Sequence, residues 1–131
     1  MIEVEVRGAE ALADAPSAER IKLLCDWAFA AAGVSDGHVA VAFVEEEEIQ
    51  RLNHEHRDRD KPTDVLSFPV DGAGPTAGPR ELGDIVLCPP YCESVERAIV
   101  HGALHLVGMD HEVDGGEMLA VEAEILRWAA Q

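Results

Sequence analysis

The residues best suited to do chemistry lie in one stretch, His101-Gly102-Ala103-Leu104-His105-Leu106-Val107-Gly108-Met109-Asp110-His111. His101 and His105 are four apart, so on an α-helix they project from one face about a turn apart. That separation lets two imidazoles reach a single ion at about 2 Å. Val100, Ala103, Leu104 and Val107 recur at helical spacing on a neighbouring face, which seats the helix against a core. Gly108 then suits a left-handed turn, and a chain reversed there returns His111 to the helical pair. Three neutral nitrogen ligands with one open position make a catalytic zinc arrangement, whereas structural sites are usually closed by four protein ligands. His101, His105 and His111 are therefore the expected ligands of one Zn2+ per chain.

This spacing is also that of the metzincin proteases, H-E-x-x-H-x-x-G-x-x-H. The chain differs at the decisive position: Gly102 stands where such a protease carries its general-base glutamate. A metalloprotease lacking that base is one alternative. Two roles are open to Asp110, orienting a ligand imidazole or capping the turn before His111. His54 and His56 read as cleft or surface residues, since three ligands already complete a site.

The elements needed to position these groups can be read from hydrophobic period. Residues 2–6 alternate apolar and charged side chains, as a half-exposed strand does. Ser17 can cap a helix with Ile21, Leu24, Ala28 and Ala31 on one face and Gly33 as its stop. Residues 39–44 form a buried-strand candidate. The acidic run 45–48 then suits the first turn of a second helix through Ile49 and Leu52. Residues 63–69 read as a strand, 71–79 as a Gly- and Pro-rich surface loop, and 84–88 as a strand ended by Pro89-Pro90. Helical period runs over 91–107 and again over 116–129. The order βαβαββαα predicts one mixed α/β (α+β) domain over residues 1–131, a small mixed sheet packed by helices.

Composition bounds the rest. An apolar fraction of 47% suits a packed globule, and no apolar run reaches the roughly 20 residues of a spanning helix. The opening Met1-Ile2-Glu3-Val4-Glu5 has neither the basic region nor the apolar stretch of a secretory leader. Cys25, Cys88 and Cys92 match no zinc-ribbon spacing and read as free thiols of a cytoplasmic protein. The net charge of −16 opposes broad phosphate neutralisation. Four of the ten basic residues, Arg51, Arg57, Arg59 and Lys61, crowd into eleven positions, so any polyanion must be met locally. By composition alone Arg57 would pair with Glu55, Asp58 or Asp60.

The pattern H-G-x-L-H-L-x-G-x-D-H over residues 101–111 resembles the signature of the YbeY family of endoribonucleases. Leu52-Asn53, Arg57, Pro62-Thr63-Asp64-Val65-Leu66-Ser67-Phe68-Pro69 and Leu82-Gly83-Asp84-Ile85-Val86 add to the likeness in order and spacing, from about residue 38 onward. The resemblance implies a zincin-like, metal-dependent, single-strand-directed endoribonuclease of small-subunit rRNA 3′-end maturation and ribosome quality control. It implies metal binding by the three histidines and a functional role in the cleft for Arg57. The implied partners are single-stranded RNA or an rRNA precursor and the small ribosomal subunit with its proteins, with no DNA or membrane partner expected. Two departures stand out: the segment between Val86 and His101 is shorter than is usual, and His56 replaces an aromatic residue before Arg57. The acidic surface also leaves open a ribosome-associated factor with little activity of its own.

Overall fold

The computed structural model describes residues 1–11, 15–110 and 112–131. Its elements follow the order β1 (Ile2–Arg7), α1 (Ala18–Ala30), β2 (Gly37–Phe43), α2 (Glu46–Arg57), β3 (Val65–Pro69), β4 (Glu81–Leu87), α3 (Val95–Leu106) and α4 (Glu117–Ala129). Short 3-10 turns lie at Ala9–Ala11 and Pro89–Tyr91. The strands form one sheet in the order β1-β2-β4-β3. β1, β2 and β4 are parallel and β3 is antiparallel to β4, so the α+β reading with a mixed sheet holds. Parallel neighbours need a crossover, and α1 supplies it between β1 and β2.

α1 and α3 pack on one face of this sheet, and α4 packs on both of them. Ile21, Leu24, Cys25, Ala28 and Phe29 of α1 meet the buried side of α3 and, through Met118 and Ile125, that of α4. Ser17 accepts a hydrogen bond from Arg20 N at 3.1 Å, the cap expected from the sequence. Ala31, expected on the buried face, is exposed: it keeps helical dihedrals as the C-cap of α1 but falls to the side of the stripe formed by Cys25, Ala28 and Phe29. The apolar stripe continues instead through Cys25 and Phe29 to Val34. Trp27 of α1 and Trp128 of α4 meet edge to face, with ring centroids 5.8 Å apart. On the opposite face α2 covers β3 and β4, burying Ile49 against Leu66, Val86 and Cys88. Glu3, Glu5 and Arg7 of β1 stay exposed, as their alternation predicts.

Helical period begins at Tyr91, but α3 itself begins at Val95. Pro89 and Pro90 open a separate 3-10 turn, and Ser94 caps the helix by accepting from Arg97 N at 3.2 Å. All three cysteines are free. Burial pushes the Cys25 thiol up to about 12 and that of the half-exposed Cys92 up to about 11, so neither is primed as a nucleophile. Among the described residues no helix is long and apolar enough to cross a membrane.

Candidate active site

The candidate site is built on α3, whose apolar positions Ile99, Val100, Ala103 and Leu104 are fully buried. Driving that face into the core leaves Arg97, His101 and His105, spaced four apart, along a polar stripe. The stripe lines a cleft of about 980 Å³. The opposite wall comes from the end of α2 and from β3, including His56, Arg57, Ser67 and Phe68.

The helix comes exceptionally close to the sheet at Gly102. A Cβ there would lie 2.7 Å from Ile85 Cγ2, 3.1 Å from Ser67 Oγ and 3.3 Å from Val65 Cγ2. Ser67 Oγ donates to the Gly102 carbonyl at 3.0 Å, tying β3 to α3 directly beside His101. The position that holds a base in metzincins therefore faces packed sheet here. At the other end of α3, Gly108 takes φ +94°. Its N–H reaches His105 O at 3.0 Å and Met109 N reaches Leu104 O at 3.1 Å, the paired bonds of a Schellman stop.

His101 and His105 turn toward each other, ring centroids 4.7 Å apart, with their Nε2 atoms 3.1 Å apart. Two nitrogens bound to one tetrahedral zinc at about 2.05 Å lie roughly 3.3 Å apart, so the pair fits one ion. The Nδ1 of His101 lies 2.8 Å from Glu122 Oε1 on α4. A carboxylate can only accept, so Nδ1 donates in that bond, and Nε2 is the ring nitrogen that faces His105. Among the described residues no set of three His, Cys, Asp or Glu side chains surrounds one point. The third expected ligand, His111, lies outside the described residues.

Asp110 serves the turn: its Oδ1 accepts from Glu112 N at 3.0 Å. The carboxylate that orients an imidazole is Glu122, which the linear pattern passed over. Its signal was present, because Met118, Glu122, Ile125 and Ala129 form one helical stripe on which Glu122 is the lone charge. Glu122 is only 6% exposed, and its other oxygen lies 3.7 Å from Arg97 Nε.

Arg57 is the last residue of α2, where a cation suits the helix dipole, and it reaches the cleft. Two of the carboxylates expected to pair with it are otherwise engaged. Glu55 accepts from Arg51 at 2.9 Å, Asp60 accepts from Gln50 at 3.1 Å, and Asp58 ends the helix in a left-handed conformation with φ 55°. Among the described residues Arg57 forms no ion pair. The buried Asn53 donates to Lys61 O at 2.9 Å and so holds the loop that follows. Arg59 and Lys61 do not line the cleft; its second cation is Arg97, three elements further along the chain. His56 packs edge-on against Phe68 at 4.8 Å, an aromatic contact made by an imidazole. Tyr91, 45% exposed, stands on the same cleft.

Residues 13–129 match the sequence profile of the family described as endoribonuclease YbeY. The chain is 44% identical over 114 residues to an endoribonuclease YbeY of Rubrobacter xylanophilus, covering 82% of each chain. It is 40% identical over 126 residues to one from Halorhodospira halophila, covering 86% of this chain and 80% of the relative. Its fold is similar to that in the solution structure of a Thermotoga maritima protein. The TM-score is 0.54 at 26% identity, over 96% of this chain and 88% of the other.

Proposed function

The chain belongs to the endoribonuclease YbeY family, and from that premise we propose a zinc-dependent endoribonuclease that cuts single-stranded RNA in small-subunit rRNA 3′-end maturation and ribosome quality control. The observation that carries the zinc assignment is the convergence of His101 and His105 Nε2, 3.1 Å apart, in a cleft that Arg57 also lines. His111 is proposed as the third ligand. Bound there, a zinc ion would supply Lewis-acid stabilisation of charge on the phosphoryl oxygens. Arg57 offers a planar guanidinium to the same oxygens, and its lack of a carboxylate partner leaves its donors for substrate. Glu122 and Ser67 hold the helix and its imidazoles in place.

An acidic protein that binds RNA needs more than field attraction, and the cleft wall provides it. His56, Phe68 and Tyr91 present aromatic surface of the kind on which unpaired bases stack without regard to sequence. Paired bases cannot open onto such a wall, which gives a physical basis for single-strand preference. The proposed setting is the cytoplasm, with the small ribosomal subunit as the context. The −16 charge favours contact with its basic proteins over a broad grip on naked RNA.

Labelled single-stranded RNA, without ribosomes, tests the reading. Cleavage that EDTA abolishes supports it; cleavage that appears only with ribosomes present would favour a ribosome-associated factor. Arg57→Ala is expected to keep fold and metal while turnover falls by about 10², or roughly 3 kcal/mol, the usual scale for one electrostatic stabiliser. Arg57→Lys restores part of that loss, because an ammonium lacks the planar fork. With Arg57 and Arg97 as the phosphate contacts, binding should weaken with salt at a log–log slope of only about −1.4. A slope several times steeper would show that the protein meets phosphate elsewhere.

A further inference from the structure

We propose that Glu122 is a positioning residue of the metal centre: it fixes the His101 tautomer and couples the seating of α4 to metal binding. The inference rests on the reading of His101 as a ligand. Glu122 occupies the apolar stripe of α4 between Met118 and Ile125, both essentially inaccessible to solvent. A carboxylate there is costly unless hydrogen-bonded and charge-compensated. Its partners are the His101 ring at 2.8 Å and the Arg97 guanidinium at 3.7 Å, both on α3. An apolar residue would serve the α3–α4 packing at less expense, so packing alone does not account for the charge.

What the carboxylate adds is direction. Free histidine favours the tautomer protonated on Nε2, which would point an N–H at the spot where the two Nε2 atoms converge. Holding the proton on Nδ1 leaves Nε2 unprotonated and raises its basicity as a ligand. The same bond ties together the two helices that flank the segment carrying the proposed third ligand. α3 supplies His101, α4 supplies Glu122, and residues 107–116, which include His111, connect them. Asp114 anchors the far end of that connection, with Oδ2 accepting from Met118 N at 3.0 Å.

Two measurements on the full chain test this, neither relying on catalysis. Zinc affinity by chelator competition is expected to fall about tenfold in Glu122→Gln and up to about 100-fold in Glu122→Ala. Arg97→Ala, which removes the other partner, should bind zinc within about threefold of the parent, on the physical ground that it leaves the Nδ1 bond intact. In metal-free protein at alkaline pH, nitrogen NMR of the His101 ring should show Nδ1–H in the parent and a shift toward Nε2–H in Glu122→Ala. The near-isosteric Gln variant keeps the test valid if the Ala variant folds poorly. Unchanged zinc affinity and an unchanged tautomer in both Glu122 variants would overturn the inference while leaving the zinc reading intact. Equal losses of affinity in Arg97→Ala and Glu122→Gln would also overturn it, since they would reduce Glu122 to a packing partner of Arg97. A parent protein that binds no zinc would remove the functional reading and this inference together.

Discussion

His105→Ala is expected to leave the protein folded, nearly free of zinc, and slower at cutting single-stranded RNA by between about 10³ and 10⁴. The imidazole is half-buried and lines the cleft, outside the apolar core of α3, so its loss opens no cavity in that core. On the proposed three-histidine site its effect would be on the ion, because two remaining nitrogens hold zinc far more weakly than three. Losing a Lewis acid worth roughly 5 kcal/mol of transition-state charge stabilisation corresponds to nearly four decades of rate. Elemental analysis and a labelled-RNA assay read the two effects separately, and EDTA treatment of the parent should reproduce the second. His38→Ala is the control, since His38 sits outside the cleft between Glu5 and Glu81. A His105→Ala protein that kept both its zinc and its rate would remove this histidine from the centre.

The second large effect is expected from Gly102→Glu, the change that completes the metzincin motif. It should abolish folding and create no peptidase. Gly102→Ala sets the scale: alanine gains about 1 kcal/mol of helix propensity over glycine. Against that, its methyl would stand 2.7 Å from Ile85 Cγ2, and Ile85 is fully buried with nowhere to retreat. Overpacking of this kind costs about 1–3 kcal/mol, so alanine is expected to bring a net loss of up to about 2 kcal/mol and no gain. Glutamate adds the desolvation of an unpaired carboxylate against Val65 and Ile85, several kcal/mol more, in a domain whose whole stability is about 5–15 kcal/mol. Urea denaturation of the alanine variant and the soluble yield of the glutamate variant check both. A folded Gly102→Glu protein that hydrolysed casein would show that the helix can leave the sheet and that the protease reading had been set aside wrongly.

How much of this was legible follows from which contacts are local. The order of strands and helices could be read because period-2 and period-3.6 patterns are properties of single segments, and the helix start capped by Ser17 belongs to that class. The convergence of His101 and His105 is equally local, one turn of one helix. The boundary that moved did so where proline and a cap intervened, as at Tyr91, and Ala31 missed the core because the buried stripe of α1 runs through Cys25, Ala28 and Phe29. Arg59 and Lys61 belong to the same basic cluster in sequence as Arg57, yet they do not line the cleft. Arg97 and Glu122 join the site only because α3 and α4 pack together, and no short-range pattern states that packing. Gly102 could be seen as a missing base, but its reason, the approach of β3 and β4, is a tertiary fact.

The contact between Trp27 and Trp128 has an optical consequence. The chain has only these two tryptophans, and both stand at the seam between α1 and α4. Indole emission from this protein therefore reports on a single place, the seat of α4, and is silent about the sheet. Trp128 lies on the same helix as Glu122, so a movement of that helix alters the environment of a fluorophore the chain already carries. Emission excited at the red edge of tryptophan absorption gives a label-free readout of α4, while far-ultraviolet dichroism follows the rest of the fold. The two signals should part company in any variant that unseats α4 without unfolding the domain.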